Sequence, residues 1–256
     1  MNSHEVPQKT PKGYVARADL LAERVILVTG AGDGIGKAVS LACAAHGATV
    51  ILLGRTVHKL ESVYDAIVAA GSPKPAIYPM DLEGAVPEDH RQLAERVEAE
   101  LGRLDGLLHN AGMLGSLTPL EHYDPVEWLR VIQVNVNAPF LLSQACLFLL
   151  KRAPDASLLF TSSGVGRRGR AYWGAYSASK FAVEGMMQVL ADELDENARV
   201  RVNSINPGRT RTAMRAAAYP AEDPDELLTP EDIVLPYLYL LGPDSHGVHG
   251  KALDAQ

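Results

Sequence analysis

The stretch RVILVTGAGDGIG, residues 24–36, decides the fold of this chain. Its apolar, β-branched run at 24–29 is typical of a strand buried on both faces, and the apolar periodicity at 35–46 is typical of a helix. Four glycines lie in and just after the turn between them. Small residues let the backbone approach a pyrophosphate closely, and the free N–H groups at the helix start then bind the phosphates. The stretch therefore predicts a dinucleotide site rather than a plain strand-to-helix turn.

Strand-like and helix-like segments alternate along the rest of the chain. The predicted strands are 24–29, 49–53, 76–80, 104–109, 157–161, 199–205 and a short one at 251–254. The predicted helices are 35–46, 57–70, 87–101, 125–134, 136–152, 176–197 and 230–241. This alternation predicts a single α/β domain with a doubly wound Rossmann fold, about seven parallel strands and helices on both faces. We expect the domain to cover residues 21–256, after an N-terminal tail of residues 1–20.

Composition narrows the classes of function. The 256 residues carry 24 basic and 31 acidic side chains, a net charge of -7, which argues against a nucleic-acid partner. The cysteines, Cys43 and Cys146, are expected to be buried apolar filler in a reducing compartment, and no metal-ligand spacing is present. The polar first 20 residues do not resemble a signal peptide, and no run of 18 apolar residues predicts a membrane span. We expect a cytoplasmic protein.

The end of the second strand bears on the choice of dinucleotide. A site that prefers NAD usually places a carboxylate there to hold the ribose 2′-OH, but this chain has Gly54 followed by Arg55. The arginine could form charge-assisted hydrogen bonds with a 2′-phosphate, or it could simply be solvated at a helix start. Asp33 in the glycine loop adds negative charge to the same region. We predict that NADP(H) is preferred over NAD(H).

Tyr176 and Lys180 are spaced to share one face of the helix that follows the fifth strand. A tyrosine that ionises near pH 7 needs its pKa lowered by about 3, which corresponds to roughly 4 kcal/mol. A cation about 4 Å away at an effective dielectric of ~20 supplies that much. The spacing therefore predicts an acid/base tyrosine whose pKa the lysine lowers. A tyrosine and a lysine four residues apart, taken alone, are common by chance.

Taken together, the motifs resemble the short-chain dehydrogenase/reductase family, in its compact single-domain branch, from about Arg24 onward. The resemblance is carried, in order along the chain, by the loop Thr29–Gly36, Asn110-Ala111-Gly112, Asn135, Ser163 thirteen residues before Tyr176, and Asn206-Pro207-Gly208. The second half is similar in more detail to a bacterial subgroup, the YciK-like oxidoreductases, in the strings at 109–112, 133–138, 174–176, 186–193 and 206–215. The resemblance does not supply a natural substrate.

The family resemblance implies four catalytic residues. Ser163 would hydrogen-bond the substrate carbonyl oxygen, Tyr176 would be the acid/base, and Lys180 would also bind the nicotinamide ribose. Asn135 would anchor a water that leads protons away from the lysine. Two alternatives stay open, because Ser162 adjoins Ser163 and Asn137 lies two residues after Asn135; either Ser163 or Asn135 could also be purely structural.

A larger set of residues would hold the dinucleotide. It comprises Gly30, Gly32, Asp33, Gly34, Ile35, Gly36, Arg55, Asp81, Leu82, Asn110, Ala111, Gly112, Tyr176, Lys180, Pro207, Gly208, Thr210 and Thr212. Asp81 resembles the family residue that binds the adenine amine, although a helix-capping role would explain it equally simply. Asn110 could instead stabilise the sheet.

Residues 209–228 are expected to cover the substrate site, because ligands of this fold bind outside the carboxyl ends of the strands. Arginines in this segment and beyond Ser163 could receive an anionic carbonyl compound: Arg167, Arg168, Arg170, Arg209, Arg211 and Arg215. Alternatively they point to solvent or pair with acids such as Glu222 and Asp223. Trp173 lines the pocket or packs in a core or interface.

The function indicated is reversible reduction of a small ketone or aldehyde by NADPH. The resemblance implies a homodimer or homotetramer, with the helices at 136–152 and 176–197 in the main interface. One alternative is a non-catalytic redox sensor on the same fold. The other is an epimerase or dehydratase, a class that usually has a longer chain and a tighter glycine spacing.

Overall fold

The computed structural model of the chain describes residues 8–194 and 199–256. In those ranges the strands are β1 (Gln8–Lys9), β2 (Val25–Thr29), β3 (Thr49–Gly54), β4 (Ala76–Pro79), β5 (Gly106–His109), β6 (Ala156–Thr161), β7 (Val200–Asn206) and β8 (Ala252–Asp254). All pair in parallel in one sheet, in the order β1-β8-β7-β6-β5-β2-β3-β4. The seven longer strands confirm the predicted doubly wound fold, and the two-residue β1 extends the sheet at its edge.

Helices cover both faces of the sheet. They are α1 (Gly34–Ala45), α2 (Val57–Ala69), α3 (Pro87–Leu101), α4 (Pro125–Ile132), α5 (Ala138–Arg152), α6 (Gly174–Glu193), α7 (Ala213–Ala218) and α8 (Val234–Leu241). One core cluster packs α1, α2 and α8 against the sheet, and another packs α3, α5 and α6 on the opposite face. Because both faces are covered, every residue of β2 and β6 is buried, which explains their mostly apolar sequences.

The helix predicted at 176–197 begins two residues earlier, at Gly174, and the end of that prediction lies outside the described residues. Helix α7 was not predicted; Thr212 caps it by accepting a hydrogen bond from the Arg215 N–H at 3.1 Å. The predicted 230–241 helix begins as a 3-10 turn and becomes α-helical only at Val234.

The predicted helices at 125–134 and 136–152 form one helix, Pro125–Arg152, in which Gln133–Asn137 make a π-helical turn. The prediction of a break was therefore wrong. Pro139 has no N–H to donate to the carbonyl of Asn135, and the wider turn lets the helix continue past it, with the Ala138 N–H donating to the Gln133 carbonyl. A π-turn of this kind often marks a functional site.

By length and hydropathy alone this helix could cross a membrane, but a single such helix is weak evidence, because core helices pass the same test. Leu142, Cys146 and Leu149 on α5 are at most 1% exposed in the core cluster beneath the sheet. Their burial identifies α5 as a core helix.

Part of the predicted tail packs with the domain. Gln8 and Lys9 pair with Leu253 and Asp254 of β8, and Leu20 is 2% exposed in the core. The domain's contacts thus extend N-terminal to the predicted boundary at residue 21. Strand β1 and the core contact of Leu20 were not predicted. A strand of two residues is too short to show an alternation of apolar and polar residues.

Candidate active site

A cavity of about 680 Å³ runs along the carboxyl edge of the sheet. Parallel strands end at the same edge, so the segments after β2, β3, β5, β6 and β7 meet there although they are distant in sequence. Every predicted cofactor-binding or catalytic residue lines this cavity except Gly36 and Asn135. The topology therefore brings the predicted set together in one place.

The glycine loop is shaped by two close backbone approaches. A Cβ on Gly36 would lie 2.2 Å from the carbonyl oxygen of Gly30, so no side chain fits at that position. Gly30 has a φ of 68°, a left-handed conformation that favours glycine. Gly36 thus lies behind the cavity wall and lets α1 start directly against the loop, with its N–H groups directed at the cavity.

Asp33 caps α1 by accepting a hydrogen bond from the Gly34 N–H at 2.8 Å. Its carboxylate also lies 2.5 Å from the Lys59 ammonium, which holds the pKa of Asp33 below its usual range. Lys59 was not singled out from the sequence, although it stands one helical turn after Arg55. Because Lys59 offsets the charge of Asp33, that carboxylate is a smaller obstacle to a phosphate than its sequence position suggested.

Arg55 is exposed at the mouth of the cavity and forms no ion pair with any residue that the structure describes. Nearby, the Asp81 carboxylate accepts a hydrogen bond from the Glu83 N–H at 3.2 Å, and Leu82 is buried behind it. Asp81 therefore caps a turn and not a helix, since α3 begins only at Pro87, and it also lines the cavity. Glu83 is held by two nitrogens of Arg130 at 2.7 and 3.1 Å, whereas Arg55 acts on Glu83 only at longer range and forms no ion pair with a carboxylate of the described residues.

Asn110 ties three strand ends together. Its side-chain amide donates to the Thr29 carbonyl at 3.3 Å, and its oxygen accepts from the Thr161 hydroxyl at 3.5 Å. The Thr29 hydroxyl in turn accepts the backbone N–H groups of Asn110 and Ala111 at 2.9 and 3.0 Å. These bonds match the sheet-stabilising alternative for Asn110, and they also fix the cavity wall that Ala111 and Gly112 form.

Asn135 is 1% exposed and lies behind Gly112. Its side-chain oxygen accepts the Met113 N–H at 2.7 Å, and its side-chain nitrogen donates to the Met113 carbonyl at 2.9 Å and the Ser179 hydroxyl at 3.0 Å. The Asn135 side chain thus connects the backbone of Met113 to Ser179 on α6. Asn137, the alternative carrier, is exposed and bonds only Gln133 among the described residues.

Ser163, Tyr176 and Lys180 meet at the inner end of the cavity. Ser163 follows β6 in an extended conformation and accepts the Val165 N–H at 3.5 Å. It lies near enough to the Tyr176 phenol to lower the pKa of that group, while Ser162, the alternative, lines the same cavity. The Lys180 ammonium lies 5.6 Å from the centre of the Tyr176 ring and donates to the Thr161 carbonyl at 2.8 Å. The first turns of α6 place the phenol and the ammonium side by side.

Burial dominates the protonation of this group of residues. Tyr176 is 8% exposed, and burial raises its pKa to about 12 although the Ser163 hydrogen bond lowers it. Burial also lowers the pKa of Lys180 to about 8, against the opposing effect of Glu184. The direction is opposite to the predicted lowering of the tyrosine pKa by Lys180, because removal from water is the largest effect on the phenol.

Three further contacts at the site were not predicted. Glu184, 6% exposed, accepts from Arg167 at 3.1 Å and from the Ser204 hydroxyl at 2.7 Å. It stands one turn after Lys180, so the same four-residue spacing could have identified it. The side chain of Gln256 donates to the Pro207 carbonyl at 2.7 Å, and no sequence signal connects these two segments.

The segment after β7 closes the cavity above the glycine loop. The Thr212 methyl would lie 3.5 Å from a Cβ on Gly34, Gly208 has a φ of 73°, and Thr210 is buried with its hydroxyl on the Pro207 carbonyl. The predicted residues of this segment thus face the loop across the cavity. A dinucleotide that is bound at the loop would lie beneath them.

The arginines of this segment are engaged by acids. Arg209 and Arg215 both bond Glu222, at 2.7 Å and at 2.5 and 2.6 Å, and the arginines lower the pKa of that carboxyl to about 2. Arg211 lies 3.3 Å from Asp225, and Arg167 is held by Glu184 and Asp254. Four of the six arginines therefore pair with acids, which was the alternative to an anion-binding site.

Comparisons with known proteins agree with this geometry. The sequence model of the short chain dehydrogenase family matches residues 24–223. The oxidoreductase YciK of Escherichia coli K12 is 54% identical over 243 residues, which cover 95% of this chain and 96% of YciK. The cyclohexanol dehydrogenase of Acinetobacter sp. strain SE19 is 31% identical over 233 residues, 89% of this chain and 91% of that enzyme.

A short chain dehydrogenase from Escherichia coli CFT073, crystallised in complex with NADPH, superposes with a TM-score of 0.91 at 55% identity. The match covers 94% of this chain and 99% of that one. The resemblance to the YciK-like oxidoreductases is confirmed. The chain is an oxidoreductase that belongs to the short chain dehydrogenase family.

Proposed function

We propose that this chain is an NADP(H)-dependent oxidoreductase that reversibly reduces a small ketone or aldehyde to an alcohol. The observation that carries the proposal is one continuous cavity that joins the glycine loop, at one end, to Ser163, Tyr176 and Lys180 at the other. An NADPH-bound relative with the same fold supports the choice of dinucleotide.

The residues at the loop end fit a phosphorylated dinucleotide. Because Gly36 has no side chain, its backbone packs directly against Gly30. The N–H groups at the start of α1 are then available to bind a pyrophosphate. Arg55, which has no carboxylate partner in the described parts of the chain, fits a 2′-phosphate. When bound, the nicotinamide supplies the hydride in reduction and accepts it in oxidation.

Tyr176 supplies the proton. With its pKa raised to about 12 by burial, the phenol is protonated at neutral pH and is ready to donate to a carbonyl oxygen. During reduction the carbonyl carbon gains the hydride and its oxygen gains the phenolic proton, which yields an alcohol and a tyrosinate. Ser163 orients the same oxygen, since it lines the cavity beside the phenol and lowers the pKa of that group. Such help is typically worth ~10²–10⁴-fold in rate.

Lys180 stabilises the tyrosinate and returns its proton. Its ammonium is held beside the Tyr176 ring by the Thr161 carbonyl, and a pKa of about 8 lets it release and recover a proton near neutrality. We assign Asn135 to the outer part of this path, where it would anchor a water as in the family. Its hydrogen bonds to Met113 and Ser179 support a fixed position for that residue.

We also propose a soluble, cytoplasmic enzyme. Cys43 and Cys146 are buried free thiols, which suits a reducing compartment. A small-molecule substrate follows from the size of the cavity, and no feature argues for a nucleic-acid partner given the net charge of -7.

Replacing Tyr176 by Phe removes the proton donor and leaves the ring in place. We expect kcat/KM for carbonyl reduction to fall about 10²–10⁴-fold, while the Kd for NADPH changes less than about threefold, because the glycine loop is untouched. Steady-state NADPH oxidation over a carbonyl panel measures the first quantity and fluorescence titration the second. Tyr64→Phe, on α2 and outside the cavity, is the matched control. Equal NADPH consumption by wild type and Tyr176→Phe would favour the redox sensor.

Replacing Arg55 by Ala tests the dinucleotide preference. We expect wild type to bind NADPH at least about tenfold more tightly than NADH, and Arg55→Ala to lose most of that ratio by weakening NADPH alone, since one charge-assisted contact contributes about 1.5–3 kcal/mol. Calorimetric titration with both dinucleotides gives the ratio. Arg91→Ala, on α3 outside the cavity, should leave it unchanged. Equal wild-type affinities would contradict the proposed preference.

We propose a homodimer or homotetramer built on α5 and α6. Phe140 and Phe148 on α5 are 50% and 41% exposed, and Phe181 and Val189 on α6 are 46% and 57% exposed. Large apolar side chains exposed together on neighbouring helices are typical of an interface. Phe181→Glu should therefore shift the sedimentation coefficient toward that of a monomer, whereas Val68→Glu on α2 should not. A wild-type monomer at micromolar concentration would refute the assembly.

A further inference from the structure

An aromatic wall stands beside the catalytic phenol. The Trp173 ring lies 5.8 Å from the Tyr176 ring on one side and 5.8 Å from the Tyr219 ring on the other. Trp173 is half-buried and lines the cavity, which was the first of the two roles expected from the sequence. Met113, Leu114 and Met214 add apolar side chains to the lining of the same cavity. A flat apolar group would find packing partners on this wall.

The residues on either side of Trp173 in the sequence, Tyr172 and Gly174, hold it in place. Tyr172 has a φ of 72°, a left-handed conformation that strains a bulky residue, and its carbonyl accepts the Thr118 N–H at 3.1 Å. On the other side, a Cβ on Gly174 would lie 3.0 Å from the ring of Tyr123, so the start of α6 is packed tightly there. Backbone strain of this kind tends to persist at functional sites.

The cation nearest to this wall is not free to receive an anion. The Arg215 guanidinium lies 3.8 Å over the Tyr219 ring, while Glu222 binds two of its nitrogens. Arg209 binds the same carboxylate, and Arg170 donates to the Tyr219 hydroxyl at 2.8 Å. These contacts fasten α7 and Tyr219 onto Trp173. An anionic substrate would have to displace Glu222 or lie against its negative charge.

We infer that Trp173, backed by Tyr219, forms a subsite that selects uncharged carbonyl compounds with an apolar ring. The arginines of residues 209–215 hold this subsite together instead of binding substrate. The inference rests on the proposed carbonyl reduction at Tyr176. It replaces the expectation of an acidic or phosphorylated substrate. Trp173 is the specificity-determining residue in this arrangement.

Three aldehydes test the subsite in the NADPH-loaded enzyme: 2-naphthaldehyde, its 6-carboxy derivative and propanal. Wild type should show a kcat/KM for 2-naphthaldehyde at least tenfold above that for the carboxylated ring. Trp173→Ala should lower the ratio of kcat/KM for 2-naphthaldehyde over propanal at least tenfold, and Trp173→Phe should restore most of it. Trp128→Phe, which alters the other tryptophan away from the cavity, should leave the ratio unchanged. A preference for the carboxylated ring, or an unchanged ratio in Trp173→Ala, would overturn the inference.

Calorimetric binding of 2-naphthylmethanol to the NADPH-loaded enzyme separates this inference from the proposed reaction. Wild type should bind this alcohol at least tenfold more tightly than Trp173→Ala does. Such binding without reduction of any aldehyde supports the subsite and refutes the proposed function. Reduction without a ring preference refutes the subsite alone, and equal binding by both variants refutes it as well.

Discussion

Burial of the Tyr176 phenol is the constraint on which the rest of the site depends. Removal from water raises the pKa of the phenol to about 12, so the proton stays on the oxygen until an acceptor is placed beside it. The same burial lowers the pKa of Lys180 to about 8. A weakly acidic phenol and an easily deprotonated ammonium thus adjoin each other, held by the first turns of α6. In the proposed reaction the phenol stays protonated until a carbonyl binds, and the ammonium is a nearby source of protons for the tyrosinate.

The parallel sheet supplies the positions for this chemistry. Its carboxyl edge gathers the glycine loop, Ser163 and the segment after β7, which are far apart along the chain. Close packing then fixes each piece: the Gly36 backbone against Gly30, Asn110 across three strand ends, and Glu222 between two arginines. The cavity is therefore a consequence of strand order, and the contacts of α7 close one side of it.

Features that depend on neighbours in sequence could be predicted. The glycine loop, the alternation of strands and helices, and the four-residue spacing of Tyr176 and Lys180 are local patterns, and the structure has all three. The family resemblance added Ser163, whose bond to the phenol no local pattern indicates.

Features that depend on tertiary packing could not be predicted. The direction of the Tyr176 pKa was wrong because desolvation is a property of the folded environment. The pairing of Glu222 with Arg209 and Arg215 requires the fold of residues 209–228. The π-turn at Gln133–Asn137, just before Pro139, has the sequence pattern of a helix break.

The difference in ultraviolet absorbance between wild type and Tyr176→Phe, titrated with pH, tests the central claim most directly. We predict no tyrosinate signal from Tyr176 up to about pH 10, the usual tyrosine pKa, whereas a signal near pH 7 that the substitution removes would contradict the account.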